Sequence, residues 1–124
     1  MKALLIDSDI LIEVLRARDN DLLARWEALS RNSTPLFCSP VTIAELWHGA
    51  RPQEVQALEA LFAAINCVPI DAQIGQRAGD FLRQFAKRHL ELGDALIAAS
   101  AFVHNLTLWT RNRRHYPMKT IAFY

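Results

Sequence analysis

Cysteine is scarce in this chain of 124 residues, and the two present, Cys38 and Cys67, are far apart in the sequence. Neither has a C-x-x-C partner or a neighbouring histidine, so the usual zinc and redox-pair spacings are excluded and both thiols are expected to be buried. Glycine is scarce too, with four in all. No Gly- or Ser-rich linker interrupts the chain and no segment repeats, which predicts one domain over residues 1–124. An excess of one charge is also lacking. With 14 basic and 13 acidic residues and a net charge of +1, bulk attraction cannot coat a nucleic acid, and any contact with RNA or DNA must come from a local patch. No run approaches the roughly 20 apolar residues of a membrane span. The opening MKALLIDSD holds too short an apolar stretch for a signal peptide. A cytoplasmic protein without membrane contact is the default expectation.

What is present is apolar residues, 52% of the chain, enough to exclude disorder as its main feature. Residues 3–6, Leu36-Phe37-Cys38 and Cys67-Val68-Pro69-Ile70 read as short buried strands, Pro69 moving the third towards a sheet edge. Thr107-Leu108-Trp109 and Thr120-Ile121-Ala122-Phe123 read as two more. Between them, Leu58, Leu61, Phe62 and Ile65, and then Ala78, Phe81, Leu82 and Phe85, recur at helical spacing and predict amphipathic helices. Ser39 with Pro40 is a cap and first-turn pair, and Asp71 is a cap for a helix expected to run through Arg88. The order is a strand followed by two helices, three times over, then a strand, a loop and a last strand. Such alternation predicts an α/β fold: a three-layer α/β/α sandwich around a mostly parallel sheet. Ligands in that architecture bind beyond the carboxyl ends of the strands.

The run Leu4-Leu5-Ile6-Asp7-Ser8-Asp9-Ile10-Leu11-Ile12 sets two carboxylates into an apolar stretch, where an uncompensated charge is costly. Asp7 or Asp9 can cap a helix starting near Ile10. Glu45 follows Thr42 at capping-box spacing, and Asp94 opens an apolar helix. Each acid alone has this structural explanation. Together, at helix starts that follow strands, they are expected to converge on one side of the sheet. Three carboxylates about 5 Å apart would repel by roughly 3 kcal/mol per pair at an effective dielectric near 20. Hard oxygen donors around a shared space suit Mg²⁺ or Mn²⁺, and such an ion supports phosphoryl chemistry, as in a nuclease or phosphatase.

Four stretches, LLIDSDILIEVL, SPVTIAELWHGA, ELGDALIAASA and TLWTRNRRHYP, occur in the order and spacing of one known family. The chain resembles the PIN-domain ribonucleases, specifically the VapC-type toxins of toxin–antitoxin pairs, over nearly its whole length. The resemblance implies that Asp7, Glu45 and Asp94 hold Mg²⁺, with Mn²⁺ as a substitute, and activate water to cleave an RNA phosphodiester. It implies Asn112 as a fourth polar member, although a turn residue explains Asn112 equally well. Asp9 stands where asparagine or serine is frequent in the family, either adding charge to the site or capping the first helix. His115 stands where relatives carry Asp or His, so the fourth member is Asn112 or His115. A small antitoxin and a homodimer are the partners implied.

Arg111, Arg113, Arg114 and His115 place positive charge beside these acids. They are either solvated surface or a rim that binds the RNA phosphates. Trp47, Trp109 and Tyr116 can stack on bases, though core packing is the simpler role for the two tryptophans. Three other readings compete. A receiver-type signalling domain would need an Asp near the third strand, and residues 51–70 contain none. A haloacid-dehalogenase-like phosphatase matches Asp7-Ser8-Asp9 but requires a Gly-Thr or Gly-Val continuation that is absent here. A PIN fold kept only for protein binding would not need all three acids.

Overall fold

In the computed structural model, which describes residues 2–124, alternation within three residues splits the first strand between two cores. In β1 (Leu4–Ile6), Leu5 faces one apolar cluster while Leu4 and Ile6 face another, as the two-residue period of a strand requires. All three are buried. α1 (Ser8–Arg16), α2 (Asn20–Arg31), β2 (Leu36–Cys38), α3 (Pro40–His48) and α4 (Val55–Ala63) follow. Then come β3 (Asn66–Cys67), α5 (Ala72–Gln84), α6 (Leu92–Val103) and β4 (Thr107–Trp109), with 3₁₀ turns at Pro52–Glu54, Ala86–Arg88 and Arg113–His115. The four strands are all parallel in the order β3-β2-β1-β4. Leu11, Leu22, Leu46 and Leu58, from α1 to α4, pack on Leu4 and Ile6. Ile74, Phe81 and Ile97, from α5 and α6, pack on Leu5 and Leu108. This is the expected three-layer sandwich.

Several boundaries differ from expectation. The first helix starts at Ser8, with Asp7 as its cap. The helix expected to reach Arg88 stops at Gln84, and His89 after the 3₁₀ turn has a left-handed φ of 55°. Ile65 is buried beyond the end of α4 rather than in it. β3 ends at Cys67, before Pro69, which has no N–H to extend a ladder. The last expected strand is reduced to one bridge between Leu108 and Phe123, supported by Leu108 N donating to Ala122 O and Tyr124 N to Leu108 O, both at 2.9 Å. Only Cys38 is buried. Cys67 lies beside it in register but is exposed, because β3 is the edge strand. Trp109 is core, stacked on Trp26, and Tyr116 is buried in the other cluster, whereas Trp47 is exposed on α3.

The strand order fixes where a site can form. From β1 the chain moves sideways to β2 and β3, then returns to place β4 on the other side of β1. Connections on either side of β1 therefore leave in opposite directions, opening a crevice at the carboxyl ends of β1 and β4. Asp7 and Thr110 are the residues next in the chain after those two strands.

Candidate functional site

Asp7 is 8% exposed; its carbonyl accepts from Ile10 N and Leu11 N in α1, and its other hydrogen bonds lie at this crevice. Its backbone N–H donates to Trp109 O at 3.0 Å, carrying the β1–β4 ladder one residue further. Oδ1 accepts from Ser8 N at 2.8 Å, and Oδ2 accepts from the Thr110 hydroxyl at 2.9 Å and the Tyr116 hydroxyl at 2.8 Å. Three donors to one carboxylate supply what the opening apolar run needed to tolerate its charge.

Asp94, in the first turn of α6, approaches from the far side. Its Oδ1 is 3.4 Å from the same Tyr116 hydroxyl, so one phenol links two acids. Burial, followed by the negative charge of Asp7, raises the Asp94 carboxyl above its ordinary range. Burial and then the charges of Asp7 and Asp94 push the Tyr116 hydroxyl far upward, so it stays a proton donor. His115 Nδ1 stands 3.7 Å from Asp94 Oδ2.

Glu45 comes from within α3, not from its start. Ser39 is the cap of that helix and Thr42 is fully buried inside it, so the capping box expected for Thr42 and Glu45 does not form. Instead Ser8 Oγ donates to Glu45 Oε1 at 2.7 Å, tying Glu45 to the residue whose N–H bonds Asp7. The carboxylates are thus joined through Ser8 and Tyr116. Among the described residues, no group of three His, Cys, Asp or Glu side chains forms a ready-made metal cage; the acids are instead spaced by the hydroxyls that join them. Mutual repulsion of about 3 kcal/mol per pair favours such spacing through neutral hydroxyls.

Asp9 is not the cap. In the first turn of α1 it reaches over to the loop after β4, where Oδ2 accepts from Arg111 N at 2.9 Å and from Asn112 Nδ2 at 3.3 Å. Its Oδ1 is buried without a hydrogen-bond partner, and burial raises the carboxyl. Asn112 N also donates to Thr110 Oγ1 at 3.0 Å, so Asn112 meets the acids through Asp9 and Thr110. The basic rim is divided. Arg111 lies 3.7 Å from Glu13, and Arg113 donates to Tyr124 O at 3.0 Å with its guanidinium over Phe123. Arg114 and His115 line a cavity of about 120 Å³ that contains Asp94. Arg88 and His89 line it too, and neither they nor Ser8, Thr110 and the bridging role of Tyr116 were marked in the sequence. Hydroxyls whose partners lie a hundred residues away leave no local signature.

The PIN-domain family model matches residues 4–121. The chain belongs to the PIN-domain family. Ribonuclease VapC10 of Mycobacterium tuberculosis is 40% identical over 121 residues, covering 93% of this chain and 86% of that protein. Ribonuclease VapC19 of the same organism is 33% identical, covering 92% of each. Among solved structures, a toxin–antitoxin complex from Klebsiella pneumoniae contains a chain 25% identical, with a TM-score of 0.78 over 97% of this chain and 96% of that one. Membership sets aside the receiver and dehalogenase readings.

PIN ribonucleases are in general metal-dependent, and the donor set here fits a hard divalent cation. Asp7, Glu45, Asp94 and Asp9 offer anionic oxygens, one of them the buried, unpartnered Asp9 Oδ1. Among the described residues no thiol lines the Asp94 cavity, so hard oxygen donors predominate there.

Proposed function

We propose that this chain is a Mg²⁺-dependent endoribonuclease, the toxin of a toxin–antitoxin pair, with Asp7, Glu45, Asp94 and Asn112 serving the chemistry. The observation that carries the reading is the pairing of Asp7 and Asp94 on one phenol at the crevice between β1 and β4, with Glu45 one serine away. Asp7, Glu45 and Asp94 would hold the ion. When bound, Mg²⁺ or Mn²⁺ polarises a phosphate, lowers the pKa of an attacking water and steadies the leaving oxygen.

The chain's own residues prepare that space. Thr110 and Tyr116 fix the Asp7 carboxylate in one orientation, so that it needs no reordering when RNA arrives. Tyr116 keeps its proton on Oη and never adds a charge of its own. Asp9 and Asn112 pin the loop after β4, holding Arg114 and His115 near Asp94 to receive phosphate. Arg111 and Arg113 take part only by leaving their present partners. A small antitoxin that covers the pocket and a homodimer are the partners that accompany this reading. Relatives described as ribonucleases and as parts of toxin–antitoxin complexes support it.

Asp7→Asn and Asp94→Asn are each expected to reduce Mg²⁺-stimulated RNA cleavage at least a hundredfold while the circular-dichroism spectrum is unchanged. Cleavage by both variants at the wild-type rate, or full wild-type activity in excess EDTA, would sink the assignment. An inert wild type that still binds an antitoxin would favour a binding module instead.

A further inference from the structure

The cavity that holds Asp94 shares Arg88 with a second, larger cleft of about 360 Å³ between α5, α6 and residues 117–120. Arg77, Arg88 and Lys119 line this cleft together with Phe85 and Phe102, and no carboxylate does. In a chain with a net charge of only +1, three cations without an acid is a local concentration of positive charge. The cations are also available. Arg88 and Lys119 are exposed, and the Arg77 guanidinium lies 4.4 Å over the Phe102 ring, an arrangement that leaves its N–H groups at the ring edge to meet a phosphate. Phe102 is 37% exposed, so part of its ring is open to a base. Beyond Arg77 lies Asp80, which is bonded to Arg83 and places negative charge where the positive strip ends.

We propose that single-stranded RNA flanking the cleaved bond leaves Asp94 past Arg88 and enters this α5–α6 cleft, its phosphates on Arg77, Arg88 and Lys119 and its bases against Phe85 and Phe102. Cations set among aromatic faces suit an unpaired strand, because a duplex stacks its bases on each other and offers only its backbone and groove edges. This explains how a chain whose Arg111 and Arg113 are engaged elsewhere can hold a polyanion beside acids. The proposal rests on the nuclease reading, but its test does not depend on cleavage.

Binding is measured by fluorescence anisotropy with the Asp7→Asn protein and three probes: a mixed-sequence 12-nucleotide single-stranded RNA, a 4-nucleotide RNA and a 12-base-pair RNA duplex, across a range of KCl. Adding Arg77→Ala and Lys119→Ala together, the two cations that line the cleft but not the Asp94 cavity, is expected to weaken binding of the 12-nucleotide strand tenfold or more. Its salt slope should become shallower by about 1.4, at about 0.7 for each phosphate no longer neutralised, with little change for the 4-nucleotide strand. Thr120→Glu, which puts a carboxylate into the cleft without removing a cation, should weaken the 12-nucleotide strand in the same direction. Melting temperatures close to that of the parent verify that each variant folds. Unchanged affinity and slope for the long strand, an equal loss on both lengths, or tighter binding of the duplex than of the single strand would each overturn the proposal. Continued cleavage by Asp7→Asn would remove Asp7 from the chemistry, and absence of cleavage by the wild type would sink the nuclease reading; either result leaves the cleft as an RNA-binding surface.

Discussion

Tyr116 lets two carboxylates approach each other without a shared proton. Its hydroxyl donates to Asp7 and stands within reach of Asp94, and burial holds that proton in place. Tyr116→Phe keeps the ring in the core and removes only the donor. Because hydrogen bonds to charged groups contribute about 1.5–3 kcal/mol and Thr110 still serves Asp7, the expected cost is about 1–2 kcal/mol, read from urea unfolding. The Tyr116 hydrogen bond also lowers the Asp94 carboxyl against the larger effect of burial, so in the variant Asp94 should titrate higher still, as carboxyl ¹³C NMR would record. Asp94 itself makes stability depend on pH. Its folded value is raised above the ordinary one of 3.8, so the native state binds this proton more tightly than the unfolded chain, and the cost in stability builds as pH rises from about 3.8 and is complete above the folded value. Asp94→Asn should therefore be more stable than wild type at neutral pH. That advantage should shrink as pH falls through the folded value and vanish below about 3.8, which melts taken from about pH 7 to about pH 3 will test.

At the scale of elements, side-chain caps set the starts of the helices at Asp7 and ahead of Glu45. Ser39 is fully buried and its Oγ accepts from Val41 N at 3.1 Å, setting the start of the helix that carries Glu45. Ser39→Ala should cost about 1 kcal/mol, the usual size of a lost cap, visible as a lower melting temperature. The order of strands and helices was legible because apolar runs, Ser39-Pro40 and Asp71 are local signals that the tertiary structure leaves in force. Asp7 and Asp94 were legible as candidates for the same reason, each lying after a strand or opening a helix. What was not legible depended on contacts between distant segments. Asp9 looked like a cap until the loop at 111–112 came to meet it. Glu45 looked like half of a capping box, although the helix is already capped by Ser39, ahead of Thr42. Cys67 looked buried by composition, yet β3 is a two-residue edge.

Across the whole molecule, the parallel sheet has two outer strands, and they are finished differently. β3 is too short to recruit a neighbour. β4 is fully buried and is closed by residues 122–124, which hydrogen-bond to Leu108 from both sides. The closing segment is fastened in turn by Arg113 on the Tyr124 carbonyl and by Arg25 at 4.9 Å from the Tyr124 ring. Those last residues therefore act as a guard against self-adhesion. Removing Ala122, Phe123 and Tyr124 would bare a hydrogen-bonding strand beside Trp109, an invitation to edge-to-edge stacking. The shortened protein should elute as oligomers or precipitate at concentrations where the parent gives a single sharp peak by size-exclusion chromatography, and an unchanged elution profile would show that the guard is dispensable.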